Sequence, residues 1–123
     1  CREELVYAKR AGVGFFTAQQ VRNQGSEQIV KQLQERLAKY KNIYLSIDMD
    51  VLDPAYAPAV QNPEPEGLEI HALLDILYGI CDRRVTGFDV VEVAPNYDDG
   101  VSAVQAAKVV FEVLCCLEKA RKV

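Results

Sequence analysis

The run Tyr44-Leu45-Ser46-Ile47-Asp48-Met49-Asp50-Val51-Leu52-Asp53-Pro54 constrains this chain more than any other stretch. An apolar, β-prone segment that ends in alternating aspartates and breaks on a proline predicts a buried strand with carboxylates at its carboxyl end. Open α/β sheets bind their ligands at that end. Because side chains in a strand alternate faces, Asp48 and Asp50 are expected to point the same way with Cα atoms roughly 7 Å apart, near enough to share one site. Carboxylates that close repel each other unless a cation lies between them. Asp48 follows four largely apolar residues and is expected near the core, where a carboxylate needs a partner. Asp53-Pro54 is a common turn start, so Asp53 is read as structural.

The rest of the chain alternates helix and strand. Residues Arg2 to Arg10 carry acidic groups early and basic ones late, which suits the helix dipole, and Gly12 ends that helix. Val13 to Thr17 is a short β-prone run, and Ala18 to Asn23 adds a turn or two of helix. Ser26 is a plausible N-cap for a helix from Glu27 to Tyr40, whose apolar residues Ile29, Val30, Leu33, Leu37 and Tyr40 fall at helical spacing. The central strand Ile43 to Ile47 follows. Leu68 to Asp82 is a further helix through Ile70, Leu73, Leu74, Leu77 and Ile80. Val85 to Val93 is the last strand, ending in carboxylates before Pro95. Ser102, with Gln105 three residues on, matches a capping box for a final helix running to about Lys119. That helix is apolar on most of its circumference, which implies burial on more than one side. Three strands alternating with helices predict an α/β fold, a parallel sheet flanked by helices.

The chain has 123 residues, half of them hydrophobic, enough for one small α/β domain. A net charge of -4 and the absence of a Lys/Arg run argue against nucleic acid as a partner. No segment is apolar enough to span a membrane, and a cytoplasmic protein is expected. Cys1, Cys81, Cys115 and Cys116 lack zinc spacing and read as free thiols, with Cys115 and Cys116 packed inside the last helix. His71, within a helix and without ligand spacing, is read as a surface or half-buried residue. Asp98 and Asp99 precede the last helix, where negative charge complements the dipole. The start at Cys1, directly into a helical pattern, suggests a piece of a longer protein.

Asp48-Met49-Asp50-Val51 also fits DxDxV, the pattern of haloacid-dehalogenase-like phosphohydrolases. In that alternative Asp48 is a nucleophile and Asp50 a general acid/base, with magnesium as cofactor. A calcium loop of the EF-hand type fails, because Asp53 stands where its glycine belongs and Ala59 where its glutamate belongs.

The longer pattern is more specific. SIDMDVLDPAYAP, then NPEPEG, then GFDVVEVAPNYD resembles the C-terminal part of the ureohydrolase family, the arginases and agmatinases, and is most similar to the agmatinase-like members. The resemblance implies a three-layer αβα arginase-like fold, of which residues 1–123 form the C-terminal part of a single domain. It implies a binuclear manganese site to which Asp48 and Asp50 contribute, Asp48 as the bridging ligand. It implies that Glu92 is catalytic and substrate-binding, facing a small guanidino substrate, with agmatine hydrolysed to putrescine and urea. Two close divalent ions lower the pKa of a bridging water, which attacks the guanidinium carbon. Family members carry a GGDH-type histidine and a DAHxD segment upstream, and neither occurs here, so the chain alone is expected to be inactive. A homo-oligomer is expected of the intact protein. Ala59, Gln61 and Glu66 stand where glycine is common, Glu69 where a hydroxyl residue is frequent and Ala94 where Asn is usual, which leaves an altered specificity or a non-catalytic assembly module as further alternatives.

Overall fold

A computed structural model describes residues 2–122. In chain order the elements are α1 (Arg2–Arg10), α2 (Ala18–Gln24), α3 (Ser26–Leu37), β1 (Ile43–Asp48), α4 (Ile70–Ile80), β2 (Val85–Val91) and α5 (Val101–Arg121), with 3-10 turns at Met49–Val51 and Pro95–Tyr97. Strands β1 and β2 pair in parallel, so the expected parallel sheet with flanking helices stands.

Among the described residues the sheet has two strands and not three. The β-prone run at Val13–Thr17 is irregular coil, with Val13 and Phe15 exposed, because no strand lies alongside to take its hydrogen bonds. Thr17 instead caps α2. Its hydroxyl accepts the Gln20 N–H while the Gln20 side chain accepts the Thr17 N–H, a complete capping box. The two capping positions read from the sequence are displaced. Gly25, not Ser26, precedes α3, and Gly100 in a left-handed conformation precedes α5, leaving Ser102 inside the helix and buried. Cys1 lies outside the described residues.

One face of the sheet holds the core. Leu45 stands beside Phe88 and Ile47 beside Val90, and both pairs pack on a contiguous apolar cluster with Ile29 of α3, Leu73 and Leu77 of α4, and Val109 and Val113 of α5. Gly79 lets α3 and α4 cross closely, since a Cβ there would run into the methyls of Val30. Helix α5 buries a single stripe, Ser102, Ala106, Val109, Val113 and Leu117, whereas Val104, Phe111 and Leu114 are exposed. The expected burial of α5 on more than one side is therefore not met within residues 2–122. Cys115 is exposed and only Cys116 packs against the core.

The opposite face of the sheet carries Tyr44, Ser46 and Asp48, all exposed, next to Gly87, Asp89 and Val91 of β2. A one-residue bulge between Ile43 and Tyr44 sets this alternation, because Val85 pairs with Ile43 but Gly87 with Tyr44.

Candidate functional site

The parallel register places Asp48 opposite Val91, so Glu92 is the next residue beyond β2 at the same end of the sheet. Asp48, Asp50 and Glu92 thus gather at the carboxyl edge, where an α/β sheet presents its ligand site. The geometry differs from continuous strand alternation. Strand β1 stops at Asp48, whose Oδ1 accepts the Asp50 N–H at 2.9 Å and wraps Met49–Val51 into a 3-10 turn. An aspartate that captures the amide two residues on is a general turn former. The turn drives Met49 fully into the core, and Asp48, expected near the core, is exposed because its face of the sheet is bare.

Asp50 is held differently at its two oxygens. Oδ2 accepts the side-chain amide of Asn62 at 3.2 Å, whereas Oδ1 is buried without a hydrogen-bond partner. Burying a carboxylate oxygen without a donor is costly, so Oδ1 is an acceptor still open to a cation or a hydrogen-bond donor. The Asp48 and Asp50 carboxylates are hard oxygen donors of the kind divalent cations take. Among the described residues no group of three or more His, Cys, Asp and Glu could hold a metal ion. His71 does not join them. It is exposed at the start of α4 with Nε2 2.8 Å from Glu69 Oε2, as its surface reading anticipated.

Asp53 is the turn residue expected of it. Its Oδ1 accepts the Ala55 N–H at 2.9 Å and its Oδ2 the Glu66 N–H at 2.8 Å, which folds the Pro-rich loop back on the 3-10 turn. Gly67 sits there against the backbone of Leu52 and Asp53, where a Cβ would run into the Asp53 nitrogen. Glu66 has φ +65°, a conformation glycine adopts more easily, and the Arg22 guanidinium of α2 donates to its carbonyl at 2.5 Å.

The loops after β1 and β2 are knitted together. Val60 bridges Val93, the Ala59 carbonyl accepts the Ala94 N–H at 2.9 Å, and the Ala59 N–H donates to the Ser102 hydroxyl at 2.8 Å. Ala59 is fully buried in this seam, while Gln61 and Glu66 are exposed. Ser102 in turn donates to Asp98 Oδ2, which also accepts the Ser102 N–H. The Ser102 hydroxyl and then its N–H hold the Asp98 carboxyl below the usual carboxylate range.

Glu92, exposed, has φ +65°. A non-glycine residue in this region costs about 1–3 kcal/mol, and such outliers concentrate at functional sites. Just below it, Asp89 joins the strands on the bare face: its Oδ2 accepts the Tyr44 hydroxyl at 2.8 Å and its Oδ1 the Ser46 hydroxyl at 2.7 Å. The Asp89 carboxylate pushes the Tyr44 phenol up from its ordinary pKa. The contacts of Asn62 and Asp89, and that of Ser102 with Ala59 in place of the cap expected of it, escape a reading of the sequence because each spans 12 or more positions, with no local pattern to announce it.

Compared with known proteins, residues 1–116 match the arginase family model. The chain is 49% identical over 80 residues to the mitochondrial guanidino acid hydrolase of Homo sapiens, covering 64% of this chain and 23% of that protein. It is 36% identical over 109 residues to the agmatinase of Neisseria meningitidis, covering 88% of this chain and 35% of that one. The solved structure of the agmatine ureohydrolase of Thermoplasma volcanium superposes with a TM-score of 0.87 at 34% identity, covering 99% of this chain and 40% of that structure. The chain spans less than half the length of each.

Proposed function

Since the chain belongs to the arginase family, we propose that it supplies part of the active site of a guanidino hydrolase, one that cleaves agmatine with water to putrescine and urea. The observation that carries this reading is the pair of strand-end aspartates, with Asp50 Oδ1 buried and lacking any hydrogen-bond donor. Asp48 and Asp50 would hold manganese, and further ligands would come from outside residues 1–123, which we read as the later part of one α/β domain. When bound, a manganese pair supplies an activated water at neutral pH. Glu92 would accept two hydrogen bonds from the planar guanidinium, the geometry that favours carboxylates for such cations. Its left-handed backbone supports this role, because strained non-glycine residues concentrate at functional sites. The unpaired thiols of Cys81, Cys115 and Cys116 suit a reducing compartment.

Family membership removes the dehalogenase-like alternative, since the matched region includes Asp48–Val51, and DxDxV is a short motif prone to chance matches. A chimera tests the remaining choice between an enzyme segment and an assembly module. Residues 1–116 replace the equivalent segment of the N. meningitidis agmatinase, and urea release from agmatine is measured with manganese. Activity that Asp48→Asn abolishes supports the enzyme reading. A folded, manganese-loaded chimera without urea release favours the non-catalytic module.

A further inference from the structure

The loop after β1 bears on which oxygen of Asp50 faces a ligand. Asn62 Nδ2 donates to Asp50 Oδ2 at 3.2 Å and is the side-chain donor to this carboxylate among the described residues. The other oxygen, Oδ1, is sealed from solvent with no partner. The two oxygens are chemically equivalent, so what the amide fixes is the orientation of the carboxylate plane, with one oxygen held at Asn62 and the other directed inward. Asn62 is itself preset. Two residues before it Val60 is buried and bridged to Val93, and the following Pro63 restricts Asn62 to an extended backbone.

An exposed amide–carboxylate hydrogen bond contributes little to stability by itself. Its worth here lies in orientation, as groups that hydrogen-bond to metal-ligating carboxylates fix the ligand and tune its affinity. We infer that Asn62 is a positioning residue that pins Asp50 Oδ2 and directs Oδ1 at a divalent cation. This inference rests on the reading of Asp48 and Asp50 as cation ligands.

The test is a manganese titration of the isotope-labelled 123-residue chain, followed as paramagnetic broadening of assigned resonances. In the wild type, signals of Asp48, Asp50 and the Asn62 side-chain amide broaden together at the lowest manganese concentrations. Asn62→Ala and the similarly sized Asn62→Leu raise the concentration needed for half-broadening at Asp50 on the order of tenfold. Glu64→Ala, an exposed change in the same loop, leaves it unchanged. Broadening at Asp50 that survives Asp48→Asn overturns the ligand reading and with it this inference. Loss with Asp48→Asn, but wild-type titration in both Asn62 variants, overturns the positioning role and leaves the ligand reading intact. Wild-type Asp50 signals no more sensitive to manganese than those of Asp75 or Asp99 overturn the ligand reading and with it this inference. An Asn62 side-chain amide that stays sharp while Asp50 disappears overturns the positioning role.

Discussion

The buried hydroxyl of Ser102 accepts the Ala59 N–H at 2.8 Å and donates to Asp98 Oδ2 at 2.7 Å. One side chain of α5 therefore fastens the loop that leads to Asn62 and fixes the residue that precedes its own helix. Ser102→Ala leaves the Ala59 N–H buried without an acceptor, which costs about 1–3 kcal/mol. Equilibrium urea unfolding should show a lower midpoint at unchanged slope. An unaltered midpoint would show the hydroxyl to be dispensable.

The left-handed backbone of Glu92 predicts an ordering of variants. Glu92→Gly relieves the strain and Glu92→Ala does not, so the glycine variant should be the more stable of the two by about 1 kcal/mol. Unfolding midpoints of the pair check this. In the chimera both should lose urea release, separating the stability of this position from its chemistry.

Acid should destabilise the chain through Asp98 and Asp82. The Ser102 hydroxyl lowers the Asp98 pKa in the folded state, and the Arg84 guanidinium lowers that of Asp82. A depressed folded pKa contributes stability above the unfolded value of about 3.9, and that contribution is lost as pH falls through the folded value. Urea midpoints should thus drop as pH is lowered from 5 to below about 4. Asp98→Asn should flatten the drop, and a parallel profile would exclude Asp98 as a source.

The thiols should react in a fixed order. Burial, and next the neighbouring charge of Cys116, push the Cys81 thiol up to about 11. At pH 8 its thiolate fraction is on the order of one in a thousand, so it should resist iodoacetamide. Exposed Cys115 should be alkylated well before it, as peptide mass spectrometry over time would show. Equal rates would mean that α4 and α5 open readily around Cys81.

Periodicity made α3 and α4 legible to within a few residues, because each carries its own apolar stripe, and the charge gradient along its length made α1 legible. Strand β1 and its carboxylate end were legible for the same local reason. What escaped was set by distant partners. The run Val13–Thr17 has strand composition but no neighbour to pair with, and Thr17-Ala18-Gln19-Gln20 spells the capping box that Ser102 and Gln105 only imitate. The alternation of Asp48 and Asp50 failed because Asp48 captured the next amide but one and ended the strand. The hold on Asp50 by Asn62 depends on how the Pro-rich loop folds back, which no spacing reveals.

Thr86, the extra residue in the bulge at the start of β2, has a reach far beyond its own position, because everything after it in the strand is counted from there. Were Thr86 to pair with Tyr44, with no bulge, Asp89 would stand beside Ile47, on the side of the core, and Phe88 and Val90 would turn toward the bare face. Parity, then, is the quantity this small sheet keeps: an insertion or deletion between Gly87 and Glu92 would scramble the site even where it spares Asp89 itself.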